Sequence, residues 1–382
     1  MMRAAGRRLP WADLGAQAAF AVTAVVLLFQ ALTYGAVRWQ DDTKYFYFPL
    51  LSTLAAALKA GHLPLWEPGI FGGYPLFADG EAGMLYPLHV LALRLLEPGQ
   101  ALVVLRLVRF YLAGAFTYAF LRTTGAGRTG ALAGGLAFML SGFMVAQVVH
   151  ENLDSGMIWL PLTLHFVERA LRTPGPRRPL LASFAGVALA MQALAVHVQV
   201  CLFTGLAVLA YLGWRVLCGP VPSPPKPLSI WEKGRTGMGI GAAMGATAAG
   251  LCAVQLLPLL DLAERSARGH GISLTAATIN SVTPFRLLTI LFPHLLTYPD
   301  GASFGYWVPW EVTVDVGLPS LFLAAIALLA RRDRYVAFFA LLAGLALVLA
   351  TGRYGPPWVV QLTQEILGRH GLRSPGRFAF LW

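Results

Sequence analysis

Two adjacent carboxylates, Asp41 and Asp42, follow a 24-residue stretch without a charge that lies between Asp13 and Arg38. A carboxylate at the mouth of an apolar span can take a proton from an attacking hydroxyl. A pair can also share one charge state or chelate a divalent cation such as Mg or Mn. The plain alternative is a solvated helix end. Lys44, His62, Trp66 and Glu67 follow within the same loop. Arg106 and Arg109 stand one helical turn apart, and Arg353, Arg373 and Arg377 are three further arginines. Arg is the preferred partner of phosphate, so a cluster of them could hold a lipid phosphate or pyrophosphate. Arg106 and Arg109 could equally snorkel to headgroups. His150-Glu-Asn-Leu-Asp154 offers an imidazole and carboxylates, but its spacing matches no metal-ligand pattern and favours a polar turn. His197 fits a structural histidine, and Asp261, Glu264 and Arg265 fit an ion pair along one helix face.

The elements that must position these groups are apolar helices. The 382-residue chain is 57% hydrophobic and only 12% charged, where a soluble domain carries about 25% charge. That composition excludes a disordered chain and argues against a soluble enzyme. The formal net charge of +11 points to a membrane surface and not to nucleic acid. Three cysteines, Cys201, Cys218 and Cys252, make neither a disulfide framework nor a zinc pattern. About 20 apolar residues span a bilayer core as a helix. The stretch after Asp13 meets that length, and so predicts a retained first span. Further spans are expected at Ala101–Leu121, Thr129–Val149, Ser155–Leu171, Pro179–Val196, Gln199–Leu217, Gly237–Leu260, Val316–Ala330 and Tyr335–Thr351, with another beginning near Gly376. The expected fold is thus all-α: a polytopic transmembrane bundle of about ten spans in a single domain, 1–382. Tyr86–Leu96 and Pro284–Leu296 are too short to cross and suit interfacial or re-entrant helices. The end at Phe378-Ala-Phe-Leu-Trp382, inside an apolar run, is expected of a fragment of a longer protein.

Charge sets the expected orientation. The N-terminus and the segments Arg122–Arg128, Glu168–Arg178, Arg215–Arg235 and Arg331–Arg334 together hold 16 Lys/Arg and four Asp/Glu. The rest holds 13 Lys/Arg and 14 Asp/Glu. The positive-inside rule therefore puts those segments and the N-terminus in the cytoplasm of a plasma-membrane protein. Nearly every candidate catalytic group then falls on the extracytoplasmic face, including Glu81, Asp79 and Glu311. The cytoplasmic loops carry no Gly-rich phosphate loop, which excludes a cytosolic nucleotide-driven engine.

Residues 38–99 form the first extracytoplasmic loop. Tyr45–Ala60 is expected to be an amphipathic helix, with Tyr47, Leu50, Leu51, Leu54 and Leu58 on one face, Pro49 in its first turn and Gly61 at its end. Such a helix would lie in the membrane interface. Gly61-His-Leu-Pro-Leu-Trp-Glu-Pro68 and Phe71-Gly-Gly-Tyr-Pro75 then make an aromatic loop of defined shape. Gly237, Gly241, Gly245 and Ala249 form a small-residue stripe for helix packing.

The order of these pieces, with Tyr86-Pro87, Trp159-Leu-Pro-Leu162 and Arg373-Ser-Pro-Gly-Arg377, resembles the YfhO-like bacterial membrane proteins and, more broadly, the GT-C class of membrane glycosyltransferases. Glu67 stands where the resemblance leads one to expect Asn. The resemblance implies a sugar transferred from a polyprenyl-phosphate-linked donor to a cell-envelope polymer or lipid acceptor outside the cytoplasm. It gives Asp41 or Asp42 the role of base. The donor and acceptor would be held by residues drawn from Lys44, His62, Trp66, Glu67, Arg106, Arg109, His150, Asn152, Arg353, Arg373 and Arg377, against membrane lipids and without nucleic acid. A lipid or glycolipid flippase would show ionisable groups and broken helices at mid-depth. A non-catalytic scaffold would tolerate loss of the acidic pair.

Overall fold

The computed structural model describes residues 11–34, 42–195, 197–219, 228–296, 309–330 and 333–382. Asp41 lies outside them. Among the described residues the chain is helical, and its one β contact is a bridge between Glu67 and Tyr74. The principal helices are α1 (Trp11–Leu27), α2 (Phe48–Lys59), α3 (Pro87–Leu95), α4 (Pro98–Thr124), α5 (Arg128–Met139), α6 (Glu151–Met157), α7 (Trp159–Arg172), α8 (Arg177–Leu194), α9 (Val198–Cys218), α10 (Ile230–Arg265), α11 (Leu318–Ala330), α12 (Arg334–Ala350) and α13 (Pro357–Ile366).

Local chemistry explains the boundaries. Pro49, Pro87, Pro98 and Pro357 occupy first turns, where a missing N–H costs nothing. Ser229 and Glu232 close a capping box at the start of α10, and Asp333 caps α12. Within the bundle, small residues let helices approach. The Phe20 ring of α1 fills a notch made by Gly114 and Gly135, where any added Cβ would stand 2.6 Å from it.

Among the described residues, four stretches are long and apolar enough to cross a membrane: Pro98–Thr124, Arg128–Val149, Val198–Cys218 and Ile230–Arg265. Asp13–Leu27, Leu318–Ala330 and Arg334–Ala350 are apolar but shorter. Several expected spans are reshaped. The span at Ser155–Leu171 is broken at Ile158 into α6 and the strongly amphipathic α7. Glu168, expected in a cytoplasmic loop segment, is buried inside the bundle. It accepts hydrogen bonds from Arg172 (2.5 Å), Arg215 (2.8 and 2.9 Å), Tyr211 (2.8 Å) and Tyr335 (2.6 Å), which ties α7, α9 and α12 together. Near Gly376, where a span was expected to begin, the chain instead makes a buried 3₁₀-helix, Pro375–Leu381. Phe378 stacks on Phe203 at 4.0 Å, so its apolar side chains find cover within the bundle.

The first loop also departs from expectation. A π-helical turn, Thr43–Tyr47, leads into α2. All five residues of the expected apolar face are buried, in a separate small core with Leu76, Met84, Leu93, Leu102 and Leu105. The face that amphipathicity alone offered to lipid is covered by α3 and the first turns of α4. Tyr86–Leu96 is the nine-residue α3, and Pro284–Ile290 is a 3₁₀-helix; both are too short to cross.

Candidate functional site

The site is built outward from one buried carboxylate. Glu151, at the start of α6, accepts two hydrogen bonds from Arg106 of α4 (3.0 and 2.6 Å) and one from Arg109. Arg109 also donates to the Glu151 carbonyl (2.9 Å), to Asp154 (2.5 Å) and to Ser155 (3.0 Å). All four charged side chains are buried. Neither arginine is therefore a phosphate cradle or a headgroup anchor. Their charges neutralise carboxylates that would otherwise be unpaired in an apolar interior. This network fixes the His150–Asn152 segment against α4.

The π-helical turn docks on the same segment. Thr43 donates to the Val149 carbonyl (3.1 Å) and accepts from Arg106 (3.0 Å). The buried Tyr47 hydroxyl donates to Asn152 Oδ1 at 2.6 Å. The extra residue of a π-turn redirects the chain at such sites. Here it leaves Asp42 beside His150, with Oδ2 3.1 Å from Nε2.

The neighbours of that contact hold the ring in place. Gln147 donates through Nε2 to the Trp310 carbonyl (3.0 Å), so its Oε1 accepts from His150 Nδ1 (2.6 Å). His150 thus bridges Gln147 and the Asp42 carboxylate. That hydrogen bond from His150 holds the Asp42 carboxyl below its usual range. Asn152 Nδ2 meanwhile donates to Glu81 at 2.7 Å. Burial, reinforced by Asp79, pushes Glu81 up to about 7. One segment thus presents two carboxylates of opposite tendency.

Cations face them. Arg377, carried in by the 3₁₀-helix, makes a two-pronged contact with Glu311 (2.7 and 2.5 Å) and reaches His197 (3.0 Å) and Gln199 (3.3 Å). Gly376 makes this approach possible. An added Cβ would stand 2.3 Å from the Glu311 carbonyl and 2.6 Å from that of Asn280. Arg373, exposed, has no hydrogen-bond or ion-pair partner among the described residues. Burial and the neighbouring Arg268 and Arg377 lower its pKa, while Asp42 and Glu311 act the other way. Arg373 and Arg377 both act electrostatically on Asp42.

Of the residues singled out in the sequence, the fold brings together Asp42, His150, Asn152, Arg373 and Arg377. The others stand apart. Lys44 is exposed over the Tyr45 ring at 4.9 Å. His62 is exposed, and its ring reaches the neighbouring Leu63 carbonyl at 3.3 Å. Glu67 accepts from Gly69 N (2.9 Å), and Trp66 lies on Gly73, so both shape the aromatic loop. Arg353 donates to the carbonyls of Thr275 (3.1 Å) and Thr278 (3.2 Å). The sequence did not single out Glu81, Tyr47, Gln147, Gln199 or Glu311 for the site. Glu81 and Glu311 were among the acids expected on that face, but nothing in their local pattern sets them apart.

Among the described residues no three His, Cys, Asp or Glu side chains converge as metal ligands. Asp41, half of the acidic pair expected to chelate a divalent cation, lies outside the described residues. Among the described residues, fold and site together define an all-helical protein with four helices of membrane-crossing length and a polar cluster where the first loop meets the bundle. No protein family, curated protein or solved structure matches it.

Proposed function

We propose that the protein is a GT-C-type membrane glycosyltransferase that moves a sugar from a polyprenyl-phosphate-linked donor to an extracytoplasmic cell-envelope acceptor. The observation that carries this reading is the juxtaposition of the half-exposed Asp42 carboxylate, braced by His150, with Arg373, a cation lacking a partner among the described residues. A base with a cation acting on it electrostatically is what displacement of a phosphate from a sugar requires.

In this reading the acceptor hydroxyl lies against Asp42. Its oxygen attacks the anomeric carbon as its proton passes to the carboxylate. The bond from that carbon to the phosphate oxygen breaks, and the lipid phosphate leaves with the electron pair. Arg373 and Arg377 stabilise the charge that grows on it. His150 keeps Asp42 ionised and aimed, and Gln147 holds the His150 ring in place through Nδ1. A single displacement inverts the anomeric carbon. Asp41 adjoins this site in sequence and belongs to the same hypothesis.

The test is an envelope glycan profile by mass spectrometry in hosts lacking the gene, complemented with wild type, Asp42→Asn or Arg373→Ala at matched membrane levels. Loss of a general base lowers the rate about 10²–10⁴-fold, so Asp42→Asn should not restore the missing sugar. Full restoration by both variants would overturn the assignment. An unchanged profile without the gene would overturn the enzyme reading itself.

A further inference from the structure

A groove of about 520 Å³ opens at the far end of the bundle from Asp42, between the starts of α8 and α10. These two helices run side by side. They approach closely where Gly186 meets the Met244 backbone, with an added Cβ only 2.5 Å from its carbonyl oxygen. The groove lies nearer their N-termini. Arg178 and Arg235 line it, over Leu228, Gly239 and Ile240.

Three features make the groove selective for an anion that carries an apolar tail. First, two arginines face one carboxylate in its lining. Arg235 has no hydrogen-bond or ion-pair partner among the described residues, and the Arg178 side chain donates to the Ala170 carbonyl at 3.3 Å. The carboxylate, Glu232, accepts from Ser229 N and Oγ, both at 2.8 Å, and offsets only part of that charge. Second, the N-terminal ends of an 18-residue and a 36-residue helix meet there, and each adds partial positive charge. Third, apolar side chains flank it. Trp231 is 83% exposed and Leu180 is 56% exposed, the pattern of groups that sit at a membrane interface.

We propose that this groove binds the phosphate of an anionic membrane phospholipid, with Arg178 and Arg235 as its ligands and the acyl chains lying along α10. The chemistry recognised is a lipid-borne phosphate, which a polyprenyl phosphate shares. The site is independent of the Asp42 cluster and of the reaction proposed there.

Native mass spectrometry of the full chain in detergent, titrated with phosphatidylglycerol, phosphatidylcholine or a polyprenyl phosphate, tests it. Wild type should retain phosphatidylglycerol about tenfold better than phosphatidylcholine, a difference of about 1.4 kcal/mol. The Arg178→Gln/Arg235→Gln double variant should lose that preference, while Arg265→Gln, at the opposite end of α10, keeps it. Gly239→Leu should also lose it. A Cβ there meets nothing within 4 Å, so the new side chain fills the groove without a clash. Unchanged phosphatidylglycerol retention in both groove variants, at unchanged melting temperature, would overturn the site. Arginine-dependent retention of the polyprenyl phosphate above phosphatidylglycerol would overturn the phospholipid as occupant.

Discussion

Asp42 and Glu81 flank the same segment, yet their surroundings push them apart: a hydrogen bond from His150 favours ionisation of one, and burial opposes ionisation of the other. The signs of their pH effects are opposite. Glu81 is raised in the folded state, so its contribution is fully present below the unfolded carboxyl value and is lost as pH rises through about 7. Asp42 is lowered, so its contribution is present above the unfolded value and is lost as pH falls through the lower folded one. Thermal unfolding in detergent should therefore show stability declining between pH 5 and 8, and Glu81→Gln should flatten that decline. An unaltered profile in Glu81→Gln would place the titration elsewhere. Arg373 is expected to behave as a functional and not a structural cation. Arg373→Ala should leave the melting temperature unchanged while lowering sugar transfer about 10²–10³-fold, the cost of losing a donor to a developing oxyanion.

At the scale of elements, α6 is held by charges and α2 by apolar packing, and the two respond differently to mutation. Glu151→Ala leaves Arg106 buried without its carboxylate. Breaking such a pair costs about 3–5 kcal/mol, so the variant should lose much of its cooperative unfolding transition. Leu54→Ala empties a fully buried position in the loop core. It should cost about 2–5 kcal/mol but act locally, exposing residues 42–95 to hydrogen exchange before the bundle opens. The aromatic loop depends on Gly73, whose φ is 131° and whose added Cβ would lie 2.5 Å from the Trp66 ring. Gly73→Val should loosen this loop, read as increased proteolysis between Leu65 and Leu76, without disturbing the bundle.

Over the whole molecule, charge and apolarity segregate along the helix axes. The Asp42 cluster lies at one end, and the Glu168 network and the Arg178–Arg235 groove lie at the other. The orientation we propose from the positive-inside rule puts the groove in the cytoplasm. Single cysteines test this in a background without Cys201, Cys218 and Cys252. Lys44→Cys, at an exposed position outside the proposed site, should react with an impermeant maleimide in intact cells. Arg177→Cys should react only after permeabilisation. The reverse pattern would put the proposed site on the wrong side for a lipid-linked donor.

Composition and apolar periodicity sufficed for an all-helical chain with membrane-length helices, because hydrophobic length and helical spacing are local properties. The first-loop helix, with Pro49 in its first turn and Gly61 at its end, was likewise legible. Asp42 stood out by its place after an apolar stretch, and Arg373 and Arg377 by their type. Other properties belong to contacts between residues distant in sequence. The apolar face of α2 is visible in the chain, but whether lipid or protein covers it depends on where α3 and α4 pack. Arg106 and Arg109 look the same in sequence whether they meet phosphate, headgroups or carboxylates. Only the fold sets Glu151 between them, 42 to 45 residues away. Glu81 has no distinguishing pattern of its own; its role comes from Asn152, 71 residues on. Apolar spacing is written along the chain, whereas the pairing of buried polar groups is decided when helices meet, because each such group must find its partner once water is excluded.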